Sequence, residues 1–159
     1  MPAGSEAAGG RALPALPELP VTYRPFGPRI AGIAFAVVLV AAFAWLWITF
    51  DQETKDAVGF LQKATVIGFI LLGLVLLNAL ARSRVVATEQ GLRVVNGYRS
   101  RSYAWSEVEA LRMPVGAPWP SIDLRDGTTV PAMGVHASDG ARAKHAVLAL
   151  KALIKAHAV

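Results

Sequence analysis

Few residues in this chain are of a type and spacing that could do chemistry. The histidines His136, His145 and His157 are the candidate metal ligands. They show no metal-ligand spacing, and His145 and His157 lie too far apart along one expected helix to share an ion. Asp123 and Asp126 could act as paired acids, but they flank the start of an Asp-Gly turn and fit hairpin chemistry better. Ser100, Ser102 and Ser106 have no nucleophile-elbow context, and Gly116 and Gly134 stand alone instead of forming a phosphate-cradling loop. The absence of cysteine rules out disulfides and Cys-ligated zinc. Catalysis, a metal and a cofactor are therefore not expected.

Arginine is the stronger signal. From Arg82 onward the chain carries eleven Lys/Arg against six Asp/Glu, so this part holds the whole formal charge of +5. Arg82, Arg84, Arg93, Arg99 and Arg101 are the candidate contacts to anionic lipid headgroups. Each basic residue near an anionic leaflet contributes about 1 kcal/mol before salt screening. The competing account is plain. Arg82 and Arg84 obey the charge rule that orients membrane helices, and Arg99 and Arg101 form a solvated strand face. A computed pI near 10 would also permit nucleic acid. A domain held under a bilayer, however, has a nearer anionic partner.

The elements that must position these arginines begin with two uncharged runs. Ile30 to Phe50 and Ala64 to Ala81 contain no charged residue, and Val58 to Leu61 extends the second run. At 1.5 Å per residue, about 20 such residues cross a hydrocarbon core of about 30 Å. Helices are expected over about 30–50 and 60–81, joined by the acidic loop Asp51 to Asp56. Lys63 would snorkel to the interface. The first run starts too late and runs too long for a cleavable signal peptide.

Arg24 and Arg29 precede the hairpin and Arg82 and Arg84 follow it, so both termini are expected in the cytoplasm of a two-span plasma-membrane protein. Trp45, Trp47 and Phe60 would lie at the outer interface, Tyr23 and Phe26 at the inner one. Gly32/Ala36 and Ala64/Gly68 have the spacing that lets helices approach closely, and Asn78 could donate a hydrogen bond across the hairpin. No ionisable group lies within the spans to mark a transport path. Residues 1–28 read as a disordered Pro/Ala-rich arm, with Pro14, Pro17 and Pro20 at polyproline spacing.

Residues 83–159 read as an α+β domain of about six short antiparallel strands closed by one amphipathic helix from Ala141 to His157. Asn96-Gly97 and Asp126-Gly127 are tight-hairpin signals. Ser106 to Glu109 matches a capping box or simply opens the next strand, and Ser138-Asp139 offers an N-cap to the last helix. The first hairpin can close in two ways. A three-residue loop puts Arg93 opposite Arg101 on one basic face, where like charges resist pairing unless an anion covers them. A two-residue loop instead places Leu92 and Val94 on the face of Arg99, Arg101, Tyr103 and Trp105.

The order of Thr88-Glu89-Gln90-Gly91-Leu92, Asn96-Gly97, Trp105-Ser106-Glu107-Val108 and Asp126-Gly127-Thr128, with the hairpin before it, resembles the bacterial pleckstrin-homology-like (PH) domain family. In particular it is similar to small actinobacterial membrane proteins of the low-molecular-weight antigen type. The resemblance implies a seven-strand roll, one strand more than the six counted. The spacing of Arg93, Arg99 and Arg101 is similar to the basic pattern with which eukaryotic PH domains hold inositol phosphates. The expected function is a non-enzymatic membrane-anchored adaptor for a protein partner or anionic lipid headgroups. The alternative is a regulatory or assembly subunit joined to a larger complex through its spans.

Overall fold

A computed structural model describes residues 16–157; the arm up to residue 15, Pro14 included, lies outside the described residues. The two apolar runs form α1 (Gly27–Thr49) and α3 (Phe60–Arg82). Each has 23 residues, a rise of about 34 Å. Both are long and apolar enough to cross a membrane, and neither contains a buried residue. A soluble core helix would bury one face; α1 and α3 instead display Trp45, Phe60 and Phe69 outward.

The acidic connection is more ordered than a loop. Asp51 accepts a hydrogen bond from the Thr54 N–H at 2.7 Å and starts the short helix α2 (Gln52–Ala57). Gln52 donates to Asp56 one turn on. The Lys63 ammonium lies 5.4 Å from the Trp47 ring centroid and ties the two helix ends together. Of the small residues, Gly32 faces Leu77 across the pair, whereas Gly68 meets nothing within 4 Å. Gly68 is thus not part of the α1–α3 seam.

Seven strands form two antiparallel sheets. The first joins β1 (Val21–Tyr23), β2 (Arg84–Ala87), β3 (Gly91–Asn96) and β4 (Arg99–Ala104) in that order. The second joins β5 (Val108–Arg112), β6 (Ser121–Leu124) and β7 (Thr129–Pro131). The strand missing from the sequence count is β1, which corrects the boundary of the arm. Val21 pairs with Ala87 and Tyr23 with Val85, so residues 21–23 belong to the sheet. Tyr23 is half-buried against the core. The helical hairpin is therefore inserted between two neighbouring strands of one sheet.

Helix α4 (Ala141–His157) lays Ala143, Ala146, Val147, Leu150, Leu153 and Ile154 on the core, the spacing of one helical face. They meet Val85, Leu92, Val94, Val108 and Ile122 from the sheets, and Trp105 from the turn between them. Trp105 and Glu107 bound a single 3-10 turn between the sheets. There Glu107, not Glu109, accepts from the Ala104 N–H at 2.6 Å, and the strand alternative at this point holds. Gly91 passes so close to the Tyr103 carbonyl that any side chain would collide with it.

Candidate functional site

The β3–β4 turn decides where the arginines go. Asn96 pairs with Arg99, leaving a two-residue Gly97-Tyr98 loop with Gly97 at φ 63. This glycine-first arrangement suits a type II′ hairpin turn. Val94 is then opposite Arg101 and Leu92 opposite Tyr103. Since Leu92, Val94 and Tyr103 are core residues, Arg99 and Arg101 lie on the inward side of β4, at the open end of the roll. Arg93, opposite Ser102, lies on the other side, where its Nε donates to Ser100 Oγ at 3.0 Å. Arg84, opposite Val95, shares that outer side.

The five arginines thus fall into separate groups. Arg99 and Arg101 border a cavity, Arg84 and Arg93 line the outer sheet face, and the Arg82 guanidinium sits 5.6 Å from the Tyr98 ring centroid. The like-charged Arg93–Arg101 pairing of a three-residue loop does not form.

The junction between helices and roll is built from polar contacts at both ends. The Tyr98 hydroxyl reaches the Asn78 side-chain oxygen at 3.1 Å and the Val75 carbonyl at 3.3 Å. Asn78 therefore serves the junction as an acceptor instead of bridging the hairpin. Buried Ser83 accepts from the Gly97 N–H at 3.0 Å, while its hydroxyl donates to the Ala79 carbonyl. Asn96 donates to the Pro131 carbonyl and accepts from the Met133 N–H, holding β3 to the segment after β7.

At the other helix, Asp139 accepts from the Phe26 and Gly27 N–H groups at 2.9 and 2.7 Å. Asp139 was expected to help cap α4, the helix that follows it. Its carboxylate instead sits at the N-terminus of α1, satisfying orphan donors and meeting the positive end of the helix dipole. Arg142 covers the Phe26 ring at 4.8 Å.

The cavity of about 750 Å³ lies between the last turns of α3, the inward side of β3 and β4, and β7. Leu76, Ala79, Leu80, Val94, Val130 and Met133 give it apolar walls, with Arg99, Arg101 and Tyr103 also lining it. Tyr103 is 8% exposed, and its hydroxyl is buried without a hydrogen-bond partner.

The remaining candidates have structural partners. Arg112 donates to Asp123 in the one ion pair among the described residues. That hydrogen bond holds the Asp123 carboxyl below its usual range, and one from Thr129 Oγ1 adds to it. Asp126 accepts from the Thr128 hydroxyl and N–H, which lowers its carboxyl in the same way. Both serve the β6–β7 hairpin. The His157 ring stacks on Trp105 at 4.5 Å, and His136 Nδ1 lies 2.8 Å from Ser138 Oγ. Among the described residues, no three potential ligands gather around a metal position.

A seven-stranded α+β roll with one covering helix is the PH-like architecture. Residues 82–152 match the bacterial PH domain family. The matched region of this PH-like domain runs from Arg82 through β2–β7 into α4, and leaves β1 outside on the far side of the hairpin. The chain is also similar to uncharacterised proteins of Mycobacterium bovis and Mycobacterium tuberculosis. Each is 39% identical over 107 residues, which is 67% of this chain and 64% of the relative. The chain thus spans less than two thirds of the length of these relatives. No solved structure matches it.

Proposed function

We infer that this is a two-span membrane protein whose PH-like domain acts as a non-enzymatic adaptor at the cytoplasmic face. The domain would bind a protein partner or anionic lipid headgroups there. The observation that carries this is the insertion of the hairpin between β1 and β2, with Asp139 on α1 and Ser83 and Tyr98 on α3 fixing both helix ends to the roll. The domain does not swing on a linker. It is held at one height and in one orientation beneath the bilayer, with the β3–β4 turn beside the last turns of α3. Arg24, Arg29, Arg82 and Arg84 at the roll end, against Lys55 and Lys63 at the α1–α3 connection, support an inward-facing domain. The narrower likeness to the antigen-type proteins rests on the residues alone.

The absence of cysteine makes a clean test possible. Thr54→Cys and Ser106→Cys, each made singly in the full chain, are probed in intact cells with a membrane-impermeant maleimide. Thr54→Cys is expected to label from outside, and Ser106→Cys only after permeabilisation. External labelling of Ser106→Cys would overturn the orientation.

One observation favours a second reading, a subunit of a larger complex held through its spans. A side chain added at Gly68 or Gly73 would meet nothing within 4 Å, leaving room for another helix to approach. In-cell crosslinking separates the two. Partners lost when the β3–β4 turn is altered (Tyr98→Ala) support the adaptor, and partners lost with Gly68→Leu support the spans.

A further inference from the structure

The connection between β5 and β6 presents apolar side chains at a place where the roll has no core for them to cover. We propose that this loop, with Val115 at its tip, dips into the cytoplasmic leaflet as a third attachment beside α1 and α3. Its partner is the apolar layer of the bilayer, met at the depth of the glycerol esters and first acyl carbons. This rests on the membrane-anchored reading above, because α1 and α3 define where the leaflet lies.

Position is the first support. β5 starts at the 3-10 turn of Trp105 to Glu107, where the indole donates to the Thr88 and Glu89 carbonyls of the β2–β3 turn. That is the end of the roll away from the hairpin. The strand runs from there to the hairpin end, where Arg112 pairs with Ser121 and Ser121 with Pro131. The Pro131 carbonyl accepts from Asn96, which flanks the β3–β4 turn beside α3. On the other side, the Pro118 carbonyl accepts from the Ala137 N–H at 2.8 Å. The same short turn, Ala137–Asp139, carries the carboxylate that meets the α1 N-terminus. The loop therefore leaves the roll at the height where α1 begins.

Composition and shape are the second. No residue from Met113 to Pro120 is charged. The Ala117 N–H donates to the Pro114 carbonyl, and Gly116 has φ 84, which fits a type II turn with glycine in its third position. Val115 stands fully exposed at the tip of that turn. Single exposed apolar residues are ordinary, but here the apolar surface continues. A hollow of about 620 Å³ separates the loop from α4, walled by Met113, Pro118, Val147 and Leu148. Leu148 is itself half exposed. Lys144 also lines the hollow, and its stem can follow the apolar wall while the ammonium stays in water.

Tethering is the third. One valine would not draw a soluble domain to a bilayer. The spans have already brought this domain there and fixed its orientation, so the loop meets the leaflet without a separate association cost. Pro114, Pro118 and Pro120 restrict the loop before any contact is made. A protein segment could use the same hollow. It would not account for an uncharged tip placed beside the start of α1, and that placement favours the leaflet.

The absence of cysteine lets a bimane reporter be placed at single sites of the full chain in nanodiscs of phosphatidylglycerol and phosphatidylcholine. Three sites are compared: Val115→Cys, Ser106→Cys at the far end of the roll, and Leu72→Cys within α3. The Val115 reporter should be blue-shifted and quenched by phosphatidylcholine carrying a nitroxide high on its acyl chain. It should also be severalfold less open to iodide than the Ser106 reporter. The Leu72 reporter should be quenched by a nitroxide placed deeper. Equal iodide access at Val115 and Ser106, with Leu72 quenched, would sink the loop attachment and leave the membrane-anchored reading intact. A Leu72 reporter untouched by nitroxide would sink both. Bimane is itself apolar, so a reporter on Ala117→Cys guards the result. Its shielding should be lost when Val115→Asp is added, and shielding unchanged by that charge would overturn the proposal. A Val115 reporter open to iodide in nanodiscs but shielded in native membranes would assign the loop to a protein partner instead.

Discussion

At the scale of single residues, the roll is stabilised by groups whose roles depend on which strand they meet. Asp123 is the clearest case. Its carboxyl is buried and accepts from Arg112 on β5 and Thr129 on β7, so one residue of β6 ties together all three strands of the second sheet. Its pKa in the folded chain lies below that of an unfolded aspartate near 3.9. The sign follows by linkage. The stabilisation is fully present above the unfolded value and is lost as pH falls through the lower folded one. Thermal melts of the detergent-solubilised chain should therefore fall steeply below about pH 4. Asp123→Asn should melt lower at pH 7 and fall less over that acid window. Parallel acid slopes for the two proteins would show that other carboxylates carry the effect.

Asp123 also marks a limit of what could be foreseen. Its nearness to Asp126 in sequence is plain, and so is the Asp-Gly turn. Arg112 is not foreseeable, because the β5–β6 pairing crosses the long proline-containing connection from Met113 to Pro120. Tyr103 could be placed in the core once the hairpin loop had two residues. Its unpaired hydroxyl depends on what surrounds it and has no signature in the chain.

At the scale of elements, the result of most consequence is the three-residue strand β1. The long uncharged runs announce α1 and α3, because length and absence of charge are properties of one continuous segment. Val21-Thr22-Tyr23 carries no such signal. Three residues show no period, and their partners Val85 to Ala87 follow only after the whole hairpin. Asp139 was concealed in the same way, since a Ser-Asp pair before a helix reads as that helix's own cap. The α1 N-terminus which it serves is more than a hundred residues away. Local chemistry was legible, and pairing across the hairpin was not.

The pairing carries a direct test. Tyr23 lies opposite Val85, so the strand ends that flank the hairpin are neighbours. Replacing residues 25–83 by an Asn-Gly turn should join Arg24 to Arg84 without strain and give a water-soluble, folded PH-like domain. A fragment beginning at Arg84 lacks β1 and the partly buried Val21 and Tyr23. It should be less stable than the joined domain by about 2 kcal/mol, from the apolar area those side chains cover. Urea unfolding of the two proteins measures the difference; equal midpoints would remove β1 from the stabilising part of the roll.

At the scale of the whole molecule, the hairpin and the roll are one structure, although sequence patterns divide them at Arg82. Both helices are gripped by the domain, α1 through Asp139 and α3 through Ser83 and Tyr98. A force or tilt applied to the spans would therefore pass into the strands that carry Arg99 and Arg101. A partner bound to the roll would in turn constrain the helices.

The insertion of α1 and α3 between adjacent strands has a further consequence, in biogenesis. β1 leaves the ribosome first, and its partner β2 follows only after both helices have been made. The two strands can pair only if they end on the same side of the bilayer, which requires an even number of crossings between them. On the two-span reading proposed above, completion of the sheet acts as a parity check on insertion. A chain with one span withheld would leave β1 stranded across the membrane and the Val85 edge of β2 open. Deleting Phe60–Arg82 should accordingly yield a protein that inserts once and is degraded rapidly, as pulse-chase labelling would reveal. Deleting both helices should spare it.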